Sequence, residues 1–582
     1  MIVAMKKVCC ICQSKDALDT VFRLRKLGMV HVEHQQPPQG RDIATLQEDV
    51  NLAVAALDIL NRNCPGREIL VQKESADWKV AALHIVDLEK RLEHLRNYSE
   101  QLKNKIAEWG PWGDFDLGLI EELSSHQVFI RFYQIPANEI AAFAQDGIIV
   151  RKIFTSGGIA NCLVISRQKI NILYKEVSAP KISLSTMRAK LTEDQKVEDV
   201  LKKDLFRHAD HFSQISRQRE ILEKELRFYQ VLKGMGQDQS LAYLVGYVPV
   251  DAVARLEAAS KENSWGLLVS LPGEEDPVPT LLRQPAWVSV IRPLWEFLGI
   301  TPGYRELDVG ITFLIFFSIF FGILIGDAGY GLAYLLLTQF VLRKKLGAKH
   351  AKTTLLLYVL SSSAILWGVL SGTFFGQQWL AAKGIRAFVP LLNDAKFAQA
   401  LCFFLGAMHL SIAHGWRTIL KLPSLSALAD VGWLLIVWAA FFLARTLILG
   451  DLFPVFGRPL LFSGIALVVL FTNPQRNMFK AIAEGLGTIA LSLVNSFTDV
   501  VSYIRLFAVG MAGVAIGDAT NGMASSSGNA VAVVVILAIG HALNLVLGPM
   551  SVLVHGVRLN VLEFSGHAGV VWGGEAYDPL RE

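Results

Sequence analysis

The chain changes character near residue 308, and this change limits its fold more than any other feature. Residues 1–308 carry 80 Asp, Glu, Lys and Arg residues, whereas residues 309–582 carry only 28. The second part consists largely of apolar segments, and a helix that crosses a bilayer needs about 20 such residues. The sequence therefore predicts an α+β cytoplasmic region at 1–300, followed by an all-α polytopic membrane domain at 301–582.

The apolar segments set the number of predicted crossings. They lie at 309–326, 329–342, 352–375, 397–416, 428–449, 458–473, 484–518 and 528–564. The first two are short and form either one broken helix or two helices hinged at glycines. Counted as two spans, they leave nine Lys and Arg residues in cytoplasmic loops and four on the opposite side. Because cytoplasmic loops are usually the more basic, we expect eight transmembrane helices with both termini in the cytoplasm.

The last two apolar segments are longer than a bilayer requires. Each contains about 35 residues, which corresponds to roughly 50 Å of helix against a hydrocarbon core of about 30 Å. Helices of this length must tilt strongly or project from the membrane. We therefore expect the last two transmembrane helices to be long and tilted, an arrangement that suits packing against a curved surface.

The polar region begins with "KKVCCICQSKDALDTVFRLRKLGMVHVE", whose pattern predicts a strand, a helix and a second strand. Three of the six cysteines, Cys9, Cys10 and Cys12, lie on the predicted first strand. We expect them to be buried packing residues. The start lacks the apolar core and cleavage site of a signal peptide, so this region is expected to remain in the cytoplasm.

Two apolar seams predict coiled-coil helices at about 83–110 and 193–233. The second seam runs from Leu201 to Tyr229 and is interrupted at His208 and Arg219. The simplest arrangement is an antiparallel coiled-coil hairpin that joins two α/β lobes, with an ordinary helical bundle as the alternative. The segment "LVGYVPVDAVARLEAA" is expected to supply a strand and a helix to the lobe at the far end of the hairpin.

Polar residues inside the apolar segments are the candidate functional groups. One helical face of the seventh segment carries Asn495, Thr498, Asp499, Ser502 and Arg505. One face of the eighth carries His541, Asn544, Ser551, His555 and Arg558. The two stripes either line an aqueous route for an ion or satisfy each other through interhelical hydrogen bonds. Arg505 is the hardest to explain as structure alone, because apolar residues continue for more than two turns beyond it.

Asp327 lies between glycines in "GILIGDAGYG", where the first two apolar segments meet. Its carboxylate could cap the following helix or line a water-filled entry, and capping is the interpretation that we favour. His409 and His414 are expected to be hydrogen-bonded packing residues rather than proton relays. Arg445 is expected to reach toward the membrane interface near Asp451.

Seven motifs, in this order, resemble the membrane-embedded subunit a of V-type and A-type rotary ATPases, which is called subunit I in prokaryotes. They are "PWGDFD", "LVGYVP", "VPTLLRQP", "FFGILIGDAGYG", "LWGVLSGTFFG", "SYIRLFAVGMAG" and "VHGVRLNVLEF". The resemblance covers essentially the whole chain, whose length matches the shorter prokaryotic members. The tail after Glu563 departs from the family pattern, and Gly513 stands where some relatives place a histidine.

The resemblance implies a multi-pass stator subunit of a prokaryotic cell membrane, which moves H⁺ or Na⁺ beside a rotor ring of small subunits. It implies that Arg505 faces the ring carboxylates and that Arg558 is a second arginine on the next helix. The cytoplasmic lobes would bind peripheral-stalk subunits. No catalytic residue, cofactor or metal is implied, and the sequence contains no GxxxxGK[ST] motif for a nucleotide. The candidate ion-pathway residues are Arg505, Arg558, Asp499, Ser502, Asn495, His541, Asn544, His555, Glu563 and Asp327.

Two other functions fit parts of the pattern. An ion-coupled secondary transporter also uses broken helices and intramembrane charges, but it predicts internal repeats, and no convincing pair is present among the segments. A coiled-coil scaffold with a passive membrane anchor needs only one or two spans and leaves Arg505 unexplained. A net charge of +4, from 56 basic and 52 acidic residues, gives no indication of nucleic-acid binding.

Overall fold

The structure is a computed structural model that describes residues 1–64, 77–140, 148–168, 174–347, 350–376, 379, 383–384, 387–472 and 478–581. Side chains are described in these ranges except at positions 156, 478–488 and 490. Four residues that enter the predicted loop-charge balance lie outside the described residues or side chains, namely Lys349, Arg386, Arg476 and Lys480.

Nine strands and nineteen α-helices occur in these ranges. The strands are β1 Met5–Gln13, β2 His31–Glu33, β3 Phe129–Pro136, β4 Ile148–Ser156, β5 Ile159–Ser166, β6 Lys175–Val177, β7 Gly236–Asp238, β8 Leu241–Pro249 and β9 Gly266–Ser270. The helices are α1 Ala17–Leu27, α2 Arg41–Asn63, α3 Trp78–Trp109, α4 Leu117–Ser125, α5 Leu184–His208, α6 Phe212–Gly234, α7 Val253–Glu262, α8 Arg292–Leu298, α9 Gly310–Ile325, α10 Ala328–Leu337, α11 Arg343–Leu346, α12 Ala351–Ser371, α13 Ala395–Lys421, α14 Ala427–Ala444, α15 Gly457–Phe471, α16 Met478–Ser502, α17 Ile504–Ser526, α18 Ala530–Ser551 and α19 Ser565–Ala568.

Contacts divide the described chain into two compact units. The first comprises Met1–Cys12, Leu27–Glu33 and Tyr243–Arg581, and therefore includes every long apolar helix. The second comprises Gln13–Lys26 and His34–Ala242. Strands from both ends of the polar region thus belong with the apolar helices, because β1 and β2 pair with later strands of the same unit.

The first unit contains a sheet with the strand order β2-β8-β1-β9. The predicted strand, helix and strand at the start of the chain are confirmed as β1, α1 and β2. Cys10 and Cys12 are buried on β1, as expected, whereas Cys9 is only partly buried. Burial raises the pKa of Cys10 to about 12. The segment "LVGYVPVDAVARLEAA" forms the predicted strand and helix, β8 and α7, but its predicted place in a lobe at the far end of a hairpin was wrong, since β8 pairs with β2.

The second unit combines a sheet of order β4-β5-β3-β6 with four long helices. Helix α3 packs on α5 with opposite chain direction, and α2 packs on α6. The single helix predicted at 193–233 is instead two helices, α5 and α6, joined by the 3₁₀ turn Ala209–His211. The break falls at His208, the polar interruption of the seam. Helix α2 was not predicted, although its Ala53, Leu57 and Leu60 fill the same core as α3.

Within the described residues, five helices are long and apolar enough to cross a membrane, namely Ala351–Ser371, Ala395–Lys421, Ala427–Leu449, Leu491–Ser526 and Ala530–Ala568. Helices Gly310–Ile325 and Ala328–Leu346 form a further pair, bent by 117°. Helix α15 is apolar but shorter. The last two helices contain 36 and 39 residues, which confirms the prediction that they are unusually long.

The segment that follows the last apolar helix returns to the sheet region of the first unit. The backbone N–H of Leu580 donates to Val30 O at 2.9 Å, beside β2. Thr280 N donates to Glu575 O at 2.7 Å, and Tyr577 N donates to Thr280 O at 3.0 Å. The end of the chain is therefore fixed to the same lobe that precedes the first apolar helix.

Candidate functional site

An ion pair between Arg505 and Glu563 forms the centre of the site. Helix α16 ends at Ser502 and α17 begins at Ile504, so Arg505 lies in the first turn of α17. Glu563 lies in the π-helical turn Leu559–Phe564 that continues α18. Nη2 of Arg505 donates to Oε1 of Glu563 at 2.5 Å, and Nε donates to the carbonyl of Ser502 at 3.0 Å. Two neighbouring helical segments therefore fix the guanidinium.

Two other predicted site residues approach the same carboxylate. Ser502 Oγ donates to Glu563 Oε1 at 3.3 Å, and Arg558 Nε lies 3.4 Å from that oxygen. The side chain of Glu563 is 4% exposed, while those of Arg505 and Arg558 are 21% and 56% exposed. A buried carboxylate is costly unless it is paired and hydrogen-bonded. Glu563 is thus a buried anchor shared by both arginines.

Arg505 has N–H donors that remain available for a second carboxylate. A guanidinium carries five N–H donors in a planar fork. Among the described residues, Nη2 and Nε have acceptors and Nη1 donates to none. A carboxylate that approached from outside the chain would therefore find a fixed, partly exposed cation without displacing Glu563.

A hydrogen-bonded row of side chains begins at Asp499, six residues before Arg505. His567 Nε2 lies 3.0 Å from Asp499 Oδ2, and His567 Nδ1 lies 2.8 Å from His414 Nε2. The row borders an open cavity of about 360 Å³, whose lining also includes Asn495. His414 therefore has a polar partner on a water-accessible cavity as well as a packing role.

A buried acid lies behind this row. Asp430 of α14 has a side chain that is 2% exposed, and it forms ion pairs with Lys421 Nζ at 2.6 Å and Arg417 Nε at 3.2 Å. His414 Nδ1 lies 3.9 Å from the same carboxylate. Arg417 also donates to the carbonyl of His567 at 3.1 Å. The two cations of α13 thus neutralise Asp430 and tie it to the Asp499–His567–His414 row.

A second polar group lies toward the other end of α17. His541 Nδ1 lies 2.8 Å from the Tyr330 hydroxyl, and His541 Nε2 lies 3.2 Å from Asn521 Oδ1. Asn544 donates to the carbonyl of Gly513 at 2.7 Å. Tyr330, Asn544 and Gly513 line a cavity of about 320 Å³. The two polar groups therefore lie on opposite sides of Arg505 along the helix.

His555 joins neither group. It is half-buried, and its Nδ1 has no hydrogen-bond partner among the described side chains. The charges of Arg505 and Arg558 both act on its imidazole, so His555 lies near the two arginines in space without a hydrogen bond to either.

Asp327 is a helix cap, as favoured from the sequence. Its Oδ1 accepts the backbone N–H groups of Gly329 at 2.7 Å, Tyr330 at 3.1 Å and Phe375 at 2.9 Å, and its Oδ2 accepts that of Gly376 at 2.9 Å. The side chain is fully buried. Asp327 thereby joins the start of α10 to the loop after α12.

Two further expectations from the sequence are met. His409 donates to or accepts from the Tyr503 hydroxyl at 2.8 Å and is stacked between Phe316 and Phe564, so its packing role is confirmed. Arg445 forms an ion pair with Asp451 at 2.6 Å.

The sequence analysis missed His567, Asp430 and Tyr330. His567 follows Glu563 by four residues, a spacing that places both on one helical face and that could have flagged it. Asp430 carried a weaker signal, as one acid at the start of an apolar helix. Tyr330 carried none, because a tyrosine in an apolar segment is usually a packing residue.

The whole chain is similar to known proteins, although no family model matches it. The chain is 30% identical over 626 residues to the V-type ATP synthase subunit I of Borreliella burgdorferi, with all of both chains covered. It is 29% identical over 622 residues to V-type ATP synthase subunit I 1 of Treponema pallidum, again with all of both chains covered. The A-type ATP synthase subunit I of Methanocaldococcus jannaschii is 23% identical over 60% of this chain and 56% of that protein.

A solved structure, of the cytoplasmic N-terminal domain of subunit I, the homologue of subunit a of V-ATPase, aligns with 45% of this chain at 15% identity and a TM-score of 0.24. The full-length sequence match carries the assignment, because 30% identity extends over the polar region and the apolar helices together. The chain belongs to the V-type and A-type ATP synthase subunit I family.

Proposed function

We propose that this chain is the non-catalytic stator subunit of a rotary ATPase, in which it conducts ions across the membrane beside a rotor ring of small subunits. The observation that carries the proposal is the Arg505–Glu563 pair, which fixes a cation between two long, largely apolar helices. ATP hydrolysis or synthesis takes place on other subunits. The cytoplasmic lobes of this chain bind the peripheral stalk. The test is ATP-driven ion uptake by vesicles that hold the complex with Arg505→Ala.

The exposed face of the last two helices supports a large partner in the membrane. Only 6% of the most apolar window of Ala530–Ala568 is buried within the chain, against 56% for Ala427–Leu449. The long helices therefore present most of their apolar surface outward. A rotor ring beside them would bring each ring carboxylate past the exposed part of Arg505.

The charge of Arg505 explains how the ring would exchange ions. A fixed guanidinium favours the ionised form of a carboxylate within about 4–6 Å, so each ring acid releases its ion when it reaches Arg505. Glu563 balances part of this charge and holds the fork in place. An arginine remains charged in a desolvated site, where a lysine could lose its proton.

The two polar groups are the proposed half-channels. Asp499 lies roughly 9 Å before Arg505 along the helix direction and Asn521 lies roughly 24 Å after it, at 1.5 Å per residue. The route past Asp499 opens to the 360 Å³ cavity, and the route past His541 adjoins the 320 Å³ cavity. Hydrogen-bonded imidazoles pass protons, so the Asp499–His567–His414 row favours H⁺ as the transported ion.

We expect His567→Gln to slow ATP-driven proton uptake about tenfold. Glutamine can keep one hydrogen bond of His567 but cannot accept a proton on one side and release it on the other. The effect is smaller than the about 10²–10⁴-fold contribution of a positioned proton-transfer group, because the open cavity admits water. Uptake into vesicles should be compared with that of His350→Gln, an exposed histidine outside the row. Equal rates for the two variants would contradict the relay.

We propose eight crossings. The tail after the last helix is bonded to the lobe before the first, so the number of crossings is even. Six result if the bent pair crosses once and α15 does not cross. Eight result if the pair crosses twice and α15 also crosses. The packing of α15 against α14 and α16, as a full member of the helical bundle, favours eight.

Cysteine labelling distinguishes the two counts. In a variant without the six native cysteines, Lys345→Cys should react with an impermeant maleimide from the cytoplasmic face, and Ser525→Cys only from the opposite face. Ser525 follows the seventh crossing of an eight-span chain and the fifth of a six-span chain, so it reports the opposite face in both. Labelling of Lys345→Cys from the same face as Ser525→Cys would exclude eight crossings.

A further inference from the structure

A cluster of two histidines and an aspartate lies between two helices of the second unit. His84 lies on α3, whereas Asp204 and His208 lie four residues apart on α5. That spacing places Asp204 and His208 on one face of α5, one turn apart. One ligand atom from each of the three side chains lies within 4.8 Å of the others.

The backbone holds these side chains in place. Ile85 and Leu205, the neighbours of His84 and Asp204 in sequence, are buried in the same apolar cluster. Helices α3 and α5 are therefore packed together at this level, so the ligand-bearing positions do not depend on a bound ion. A preformed backbone needs only side-chain rotation to close the site.

Hydrogen bonding alone does not account for the cluster. His84 Nε2 lies 3.4 Å from Asp204 Oδ2, longer than the about 2.7–2.9 Å of a strong charge-assisted bond. The His84 and His208 rings meet edge to face at 4.8 Å between centroids. Nδ1 of His208 is buried without a hydrogen-bond partner among the described residues. A buried imidazole nitrogen without a partner is rare in proteins.

A third histidine lies against the same ring. The His211 and His208 rings are stacked, with 5.6 Å between their centroids.

We propose that His84, Asp204 and His208 bind a divalent transition-metal ion, with Zn²⁺ as the best match. Two imidazoles and one carboxylate suit Zn²⁺ or its neighbours rather than Mg²⁺ or Ca²⁺, which prefer oxygen ligands. Tetrahedral bonds of about 2.0–2.2 Å require the three ligand atoms to move closer by roughly 1 Å, which side-chain torsions supply. The ion would cross-link α3 to the end of α5, next to the turn Ala209–His211. It would thereby hold these two helices more firmly together.

Zinc binding by the purified full-length chain, after removal of metals with a chelator, tests the proposal. We expect wild type to bind one more Zn²⁺ in competition with a chromophoric chelator than either His84→Ala or His208→Ala. The matched control is His94→Ala, which removes an exposed histidine from the same helix α3. Loss of a direct ligand should weaken binding by more than about tenfold, since loss of an outer partner alone costs about 10–100-fold.

Two further measurements separate this site from the cysteines of β1 and from general damage. Co²⁺ bound at the proposed site should show ligand-field bands without the thiolate charge-transfer band that Cys9, Cys10 or Cys12 would add. Asp204→Asn should weaken binding while preserving side-chain volume. The proposal is overturned if wild type, His84→Ala and His94→Ala bind Zn²⁺ equally, or if the Co²⁺ spectrum is that of a thiolate site.

Discussion

Vesicles that contain the complex with Arg505→Ala should lose ATP-driven ion uptake by about two orders of magnitude or more. The substitution removes the cation that a ring carboxylate would meet, and it leaves Glu563 buried beside Arg558 alone. Each 1.36 kcal/mol added to a barrier slows a rate about tenfold, so a hundredfold loss corresponds to about 2.7 kcal/mol in the barrier to ion transfer. Arg505→Lys should not restore uptake, because an ammonium lacks the planar fork of donors and a desolvated lysine can lose its proton.

Two companion variants separate transport from assembly. Arg505→Ala combined with Glu563→Ala removes both charges, so it should recover assembly without recovering uptake. Arg445→Ala removes an arginine whose partner, Asp451, lies at a half-exposed helix end, and it should leave uptake nearly unchanged. If the double variant or Arg505→Ala pumps ions at close to the wild-type rate, Arg505 is a structural residue and the stator role fails.

Replacement of Asp327 should produce the largest loss of stability. Asp327→Ala leaves four backbone N–H groups without their acceptor in a fully buried place. Each buried donor left unpaired costs about 1–3 kcal/mol, so the folded state should lose about 3–5 kcal/mol even after relaxation. The unfolding temperature of the purified chain should fall by on the order of 5–10 °C.

A milder substitution and a second cap test the mechanism. In Asp327→Asn, the amide nitrogen would replace Oδ2 and face the N–H of Gly376, donor against donor, so an intermediate loss is expected. Asp394 caps α13 by accepting Phe397 N at 3.2 Å from an exposed position. Asp394→Ala should therefore lower stability by only about 1 kcal/mol. Equal unfolding temperatures for Asp327→Ala and Asp394→Ala would contradict the buried-cap account.

Local sequence patterns were enough to predict features that depend on one segment at a time. The change in charge density near residue 308 predicted where the apolar helices begin, and the length of the last two segments predicted two long helices. The glycines around Asp327 indicated a cap, and burial of Cys10 followed from an apolar strand. In each case hydropathy, helix length or turn chemistry decides the outcome within a few residues.

Features that require two distant segments to meet were predicted poorly. The sequence placed Arg505 on a polar stripe but gave no partner for it, and the partner Glu563 lies 58 residues away. Similarly, the seam at 193–233 was predicted as one helix, because an interruption at His208 does not reveal whether the chain bends there. The unexpected helix α2 and the placement of β8 beside β2 are errors of the same kind.

By itself, the sequence determined the division into a polar part and a part rich in apolar helices, the presence of an arginine within a long apolar segment, and the capping role of Asp327. Only the tertiary structure decided that Glu563 anchors both arginines, that His567 joins Asp499 to His414, and that His84 meets Asp204 and His208. The physical reason is the distance along the chain over which each interaction acts. Hydrophobic periodicity and capping act within one or two helical turns, whereas a charge finds its partner only after packing has brought separate helices together.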